Sequence, residues 1–159
     1  MFKVSFVDKP NNPAKQVQVF NDKATIVTLK GRMVLPKWWS LVPYSIDKWA
    51  NNHEGVEFND ICLEEAFFVV QGKSVCSEED VFDKVKGERI AEARAKKKLY
   101  KFMYRLLEKV FWHYKKIIIG DMDMRLPELY RDGIYKDIMK YQVLYERETE
   151  HLHKLLAES

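Results

Sequence analysis

Ala66-Phe-Phe-Val-Val-Gln-Gly-Lys-Ser-Val-Cys76, then the turn-like Ser77-Glu-Glu-Asp80, then a helical pattern from Asp83 to near Gly120: on this stretch the fold turns. The first eleven residues, rich in Val and Phe, suit a strand. Asp83 stands where a helix N-cap is wanted, because a short side-chain oxygen can accept from the free N–H groups of a first turn. Counting from Arg94 at about 100° per residue, Leu99, Phe102, Met103, Leu106, Leu107, Val110, Tyr114, Ile117 and Ile118 fall on one arc. Arg94, Lys98, Lys101, Arg105, Lys109, Trp112 and Lys116 fall between about −20° and +60°. A strand that feeds such a helix predicts a helix laid on a sheet, with a basic stripe roughly 33 Å long turned away from the core.

Outward from that unit, Phe2–Val7, Gln16–Phe20 and Thr25–Leu35 have the alternation or β-branched content of strands. Pro10 to Pro13 break the first pair, Asn21-Asp22-Lys23 is a hairpin turn, and Gly31 marks a bulge. Residues 36–60 read as irregular, except for a short helix over Ile46–Asn51 capped by Ser45. Beyond a linker at Met122–Leu126, Pro127 suits a first helical turn. Asp132-Gly133 interrupts, and Ile134 to about Ala157 forms the last helix, antiparallel to the long one. The fold class expected is α+β: an antiparallel sheet of about four strands, a long amphipathic helix on it, and a second long C-terminal helix. Residues 1–120 form the core and residues 121–159 a helical extension of the same domain.

Composition narrows the class. With 47% hydrophobic and 32% charged residues among 159, the chain holds enough apolar material for one core and is not a disordered chain. No apolar run has the length of a membrane span. Cys62 and Cys76 are too few for a disulfide framework, and the N-terminus lacks a secretory pattern, so a reducing cytosol and free thiols are expected. The net charge of +3 is unevenly spread: residues 94–118 carry nine Lys or Arg against the single Glu108.

Motifs of chemistry are missing. There is no phosphate-binding Gly-rich loop, no nucleophile elbow and no His-Glu-x-x-His. Glu148 and His151 stand at the i, i+3 spacing of di-metal bundles, but the long helix has no matching Glu-x-x-His, so no metal or other cofactor is expected. Trp38, Trp39, Tyr44 and Trp49 crowd one segment. They either close one end of the core or present an aromatic surface to another protein. The basic stripe is either a solvated helix face or a track for phosphates, with Trp112 inside it.

The strand-to-helix junction, Gly72, Cys76, Asp80, Phe82-Asp83, Gly87, Ile90-Ala91 and Arg94-Ala95, resembles a pattern of small uncharacterised bacteriophage proteins. The resemblance covers residues 72–95 and implies origin rather than activity, since those proteins share no single function. Physically the junction reads as a folding device. Gly72 lets the strand twist, Gly87 and Ala91 let the helix lie close on the sheet, and Arg94 reaches back to Asp80 or Asp83.

Two function classes follow. One is a non-enzymatic phage-type binding protein that acts on a host protein in the host cytosol, for example an inhibitor of a defence system such as CRISPR, through Trp38, Trp39, Tyr44 and Trp49. The other is a nucleic-acid-binding module using Arg94, Lys98, Lys101, Arg105, Lys109 and Lys116. Apolar positions and tyrosines on more than one side of the C-terminal helix also offer a route to homo-oligomers.

Overall fold

The computed structural model describes residues 3–6, 14–36, 39, 44–51, 55–62, 65–120 and 125–158. Strands β1 (Lys3–Phe6), β2 (Lys15–Phe20) and β3 (Ala24–Val34) come first. Helix α1 (Tyr44–Asn51), β4 (Val56–Cys62) and β5 (Glu65–Val75) follow, then α2 (Lys84–Gly120) and α3 (Arg125–Ala157). The α+β architecture is the one expected, an antiparallel sheet with a long helix on it and a second long C-terminal helix. β3 and β5 pair along their whole length, from Ala24↔Val75 to Val34↔Glu65. β4 lies on the far side of β5, and β1 and β2 both lie on the far side of β3. Because β1 runs beside residues 31–34 and β2 beside 24–29, the two share one edge of β3, so five strands make four rows.

The hairpin from β2 to β3 turns at Asn21 and Asp22, both at φ 51°, and the Lys23 amide donates to the Phe20 carbonyl at 3.0 Å. Asn and Asp are the non-glycine residues that tolerate this left-handed backbone, which matches the twist of a hairpin. Alternation then decides the buried face. Val27, Leu29 and Met33 of β3, Ala66, Phe68 and Val70 of β5, and Val56 and Phe58 of β4 all point to the α2 side and are buried.

α2 is the middle layer. Ala91, Ala95, Leu99, Phe102 and Leu106 belong to the core shared with the sheet. Ile90 and Ala93 pack with Leu152 and Leu155 of α3. Further along, the Tyr104 and Tyr145 rings meet edge to face at 5.7 Å, and Gln142 donates to Glu108 at 3.3 Å. The pairs run in opposite order along the two helices, so α3 is antiparallel to α2. The wide apolar arc of α2 is explained by its two neighbours. No helix among the described residues is long and apolar enough to cross a membrane.

Four local expectations need correction. Residues 56–62 are a strand, not irregular. Asn59 and Asp60 lower its β-propensity, and pairing with β5 outweighs them, with a register shift between Asp60 and Cys62. Among the described residues that shift is the sheet's irregularity; Gly31 pairs with Phe68 in unbroken register. Ser45 lies inside α1, which begins at Tyr44. α3 also runs through Asp132-Gly133, because a glycine's helix penalty of about 1 kcal/mol is small beside the burial of Ile134, Ile138 and Tyr141.

Candidate nucleic-acid interface

Asp83 caps α2 as its position suggests: its Oδ1 accepts from the Lys86 amide at 3.1 Å. The helix then meets the sheet at two glycines. A Cβ on Gly72 would stand 1.8 Å from the Ala91 carbonyl oxygen and 2.5 Å from the Ala95 nitrogen. One on Gly87 would stand 3.0 Å from Thr25 Oγ1. Gly87 and Ala91 therefore bring the helix close, and Gly72 is the seat for it.

This seating decides where the basic stripe lies. β4 pairs with β5 only as far as Val70, so residues 71–75 have no strand on that side. α2 runs along this open edge. The Arg94 Nη1 donates to the Lys73 carbonyl at 2.8 Å, and the Lys98 Nζ donates to the Gln71 carbonyl at 2.9 Å. Arg94 does not reach Asp80 or Asp83. Asp83 is about 16 Å away along the axis, and the Asp80 carboxylate accepts from the Ser77 hydroxyl. Two members of the stripe thus satisfy edge carbonyls while their charge stays at the surface.

Beside that edge lies a cleft of about 400 Å³ lined by Lys73, Arg94, Lys97, Lys98, Lys101, Tyr145 and Leu152. Lys97 Nζ sits 5.4 Å from the centre of the Tyr145 ring. None of the five cations forms an ion pair among the described residues. Elsewhere carboxylates do pair: Lys15 meets Glu88 at 2.6 Å and Glu92 at 3.2 Å, and Lys96 meets Glu92 at 3.5 Å. Its Glu88 bond is the main reason the Lys15 ammonium titrates above the usual lysine range. The cleft is the place where positive charge gathers without such partners.

Arg105 continues the stripe as an exposed side chain. Lys109 lies 5.1 Å over the Trp49 ring, and Trp112 is 54% exposed. The side chain of Lys116 lies outside the described residues. Lys73, Lys97 and Tyr145 escape sequence reasoning. Lys73 is on a strand and Tyr145 on another helix, while Lys97 falls outside the wheel sector of the stripe. A cluster of three consecutive lysines, 96–98, is the one local hint.

The tryptophan segment has a different placement. Trp39 is 4% exposed, with its ring 5.9 Å from Phe58. Trp49, half-buried, stacks on Phe102 at 5.7 Å and 2°. Phe58 and Phe102 are themselves 5.8 Å apart, so four aromatic rings close one end of the core. Trp38 and the side chain of Tyr44 lie outside the described residues. Glu148 and His151 bond each other at 3.0 Å, and among the described residues no cluster of His, Cys, Asp and Glu suits a metal. Cys76 is a free thiol whose Sγ donates to the Asp80 carbonyl at 3.4 Å; the side chain of Cys62 lies outside the described residues. Comparison with protein-family models, with curated proteins and with solved structures returns no match.

Proposed function

We propose that this is a non-enzymatic nucleic-acid-binding protein that holds phosphates along the basic face of α2. The observation that carries the reading is the cleft of five cations without carboxylate partners, continued by Arg105 and Lys109. Unpaired cations gathered in one place repel each other, and a polyanion relieves that repulsion by releasing its own counterions. Trp112 and Tyr145 add aromatic surface on which bases can stack. The expected compartment is the cytosol, which suits the thiol of Cys76. A phage-type protein that docks on a host protein, such as a CRISPR component, draws less support. The ring of Trp39 is committed to the core, and the junction at 72–95 serves the seating of α2.

The test is fluorescence anisotropy with labelled single- and double-stranded DNA and RNA over a salt series. The control is Lys101→Glu/Arg105→Glu, since neither side chain bonds the described residues. With about five phosphates engaged, affinity falls roughly 10²- to 10³-fold between 50 and 200 mM salt. The double variant loses at least tenfold at low salt. Weak binding that ignores both salt and the substitutions overturns the reading.

A further inference from the structure

Two rows of side chains flank the line where α2 and α3 meet on the side of the basic stripe. The row on α2 carries Lys101 and Arg105 and reaches Trp112, which lies about 16 Å beyond Lys101 along the axis. The row on α3 carries Tyr145, Gln142 and Tyr135. Tyr145 lines the cation cleft, Gln142 bonds Glu108, and the Tyr135 ring lies 6.5 Å from that of Phe111. The Trp112 ring meets the same Phe111 edge to face at 6.0 Å, and Arg131 lies 5.9 Å over it. This contact places the Trp112 and Tyr135 rings without covering them: they are 54% and 55% exposed. Cations thus gather at one end of this surface and open aromatic rings at the other.

The surroundings of α2 decide which form of nucleic acid fits. The sheet packs on one side of it and α3 on another. Two helices packed about 8–10 Å apart, each roughly 10–12 Å wide, together span about 20 Å. The major groove of a DNA duplex is only about 12 Å wide, so α2 meets a duplex at its phosphates alone. Inside a duplex the base faces cover one another and offer nothing to Trp112 or Tyr135. In a single strand each base has a face that can stack, whatever the sequence. Glu108, bonded by Gln142, stands between the cations and the rings. A carboxylate repels phosphate, whereas carboxylate and amide groups both pair with base edges. Phosphates therefore belong along Lys101, Arg105 and Lys109, and bases toward α3.

We infer that the ligand of this surface is single-stranded nucleic acid, with its phosphates on the α2 cations and its bases stacked on Trp112 and Tyr135. This rests on the nucleic-acid reading above and adds to it a preference for unpaired bases.

The test uses the full chain and three probes of one length: a single strand, its duplex, and a strand of abasic sites that keeps the phosphates and lacks the bases. The single strand is prepared as DNA and as RNA. At one salt concentration at least one of the two is expected to bind at least tenfold more tightly than the duplex and the abasic strand. Trp112→Ala/Tyr135→Ala is expected to bring its affinity down to theirs, and Trp112→Phe/Tyr135→Phe to keep the preference. Circular dichroism confirms that the variants are folded; if the double alanine variant unfolds, Trp112→Ala alone serves, with a loss of at least fivefold. Equal or tighter binding of the duplex with a steep salt dependence overturns the single-strand preference and leaves the wider reading standing. A preference that survives the alanine variants, or an abasic strand that binds like the natural one, also overturns it. Absence of binding to any probe overturns both readings.

Discussion

The hydroxyl of Tyr141 shows how one atom can work against the fold. The side chain is 1% exposed, and the oxygen finds no hydrogen-bond partner among the described residues. A buried polar group left unsatisfied costs about 1–3 kcal/mol. Tyr141→Phe is therefore expected to raise stability at pH 7, by about 1 kcal/mol, in urea unfolding followed by circular dichroism. A loss of stability there would mean that the hydroxyl has a partner after all. Burial, with help from Asp137, also raises the Tyr141 pKa far above its ordinary 10.0, and burial raises that of Tyr100. A raised folded-state pKa favours the protonated form, so this stability is intact below pH 10 and is lost as pH climbs from 10 toward the folded values. The wild-type chain should weaken above pH 10, and the Phe variant should weaken less, with Tyr100 still contributing.

At the scale of elements, α2 is placed by small residues as much as by large ones. The spacing of Leu99, Phe102, Leu106 and Val110 shows an amphipathic helix in the sequence, and the Asp83 cap shows its start. What Gly72 is for does not show, because its reason is a helix more than fifteen residues away in the chain. In the sequence a glycine in a strand suggests twist or a bulge. In the structure it is where the backbone of α2, at Ala91 and Ala95, rests on β5. Gly72→Ala is expected to cost at least the roughly 1–3 kcal/mol of overpacking, since backbone atoms stand where the methyl must go. Gly133→Ala is the counterpart. Nothing lies within 4 Å of the added methyl in the middle of α3, so it should stabilise by about 0.5–1 kcal/mol. Thermal unfolding of the two variants checks both signs; if Gly72→Ala melts like wild type, the seat is not rigid. The strand β4 was hidden for a related reason. Asn59 and Asp60 look like turn residues, and only the exposed edge of β5 gives them a partner.

Over the whole molecule, α2 is sandwiched between the sheet and α3. Its buried arc is too wide for one neighbour, and Ala93 together with Ile90 would face water without Leu152 and Leu155. Ending the chain after Gly120 is expected to abolish cooperative unfolding, read as loss of a sharp thermal transition. A truncated chain that melts cooperatively would make α3 an accessory rather than part of the core. The candidate site is also a property of the whole. Arg94, Lys98 and Lys101 are visible as one helix face, but the cleft needs Lys73 from β5 and Tyr145 and Leu152 from α3. A further part of the stripe serves the fold, since Arg94 and Lys98 satisfy edge carbonyls and Lys109 lies over Trp49.

Periodicity, capping residues and charge spacing are local quantities, so the sequence by itself determined the class of fold, the start and length of α2, its apolar arc and the stripe of cations opposite. Burial, pairing and edge exposure depend on residues far apart in the chain. Only the tertiary structure decided that β1 and β2 share one edge, that Trp39 is core, and that Gly72 is a helix seat. It also decided that Lys73, Tyr145 and Leu152 join part of the stripe in one cleft, because what lies beside a helix face is set by the elements packed against the helix and not by the helix itself.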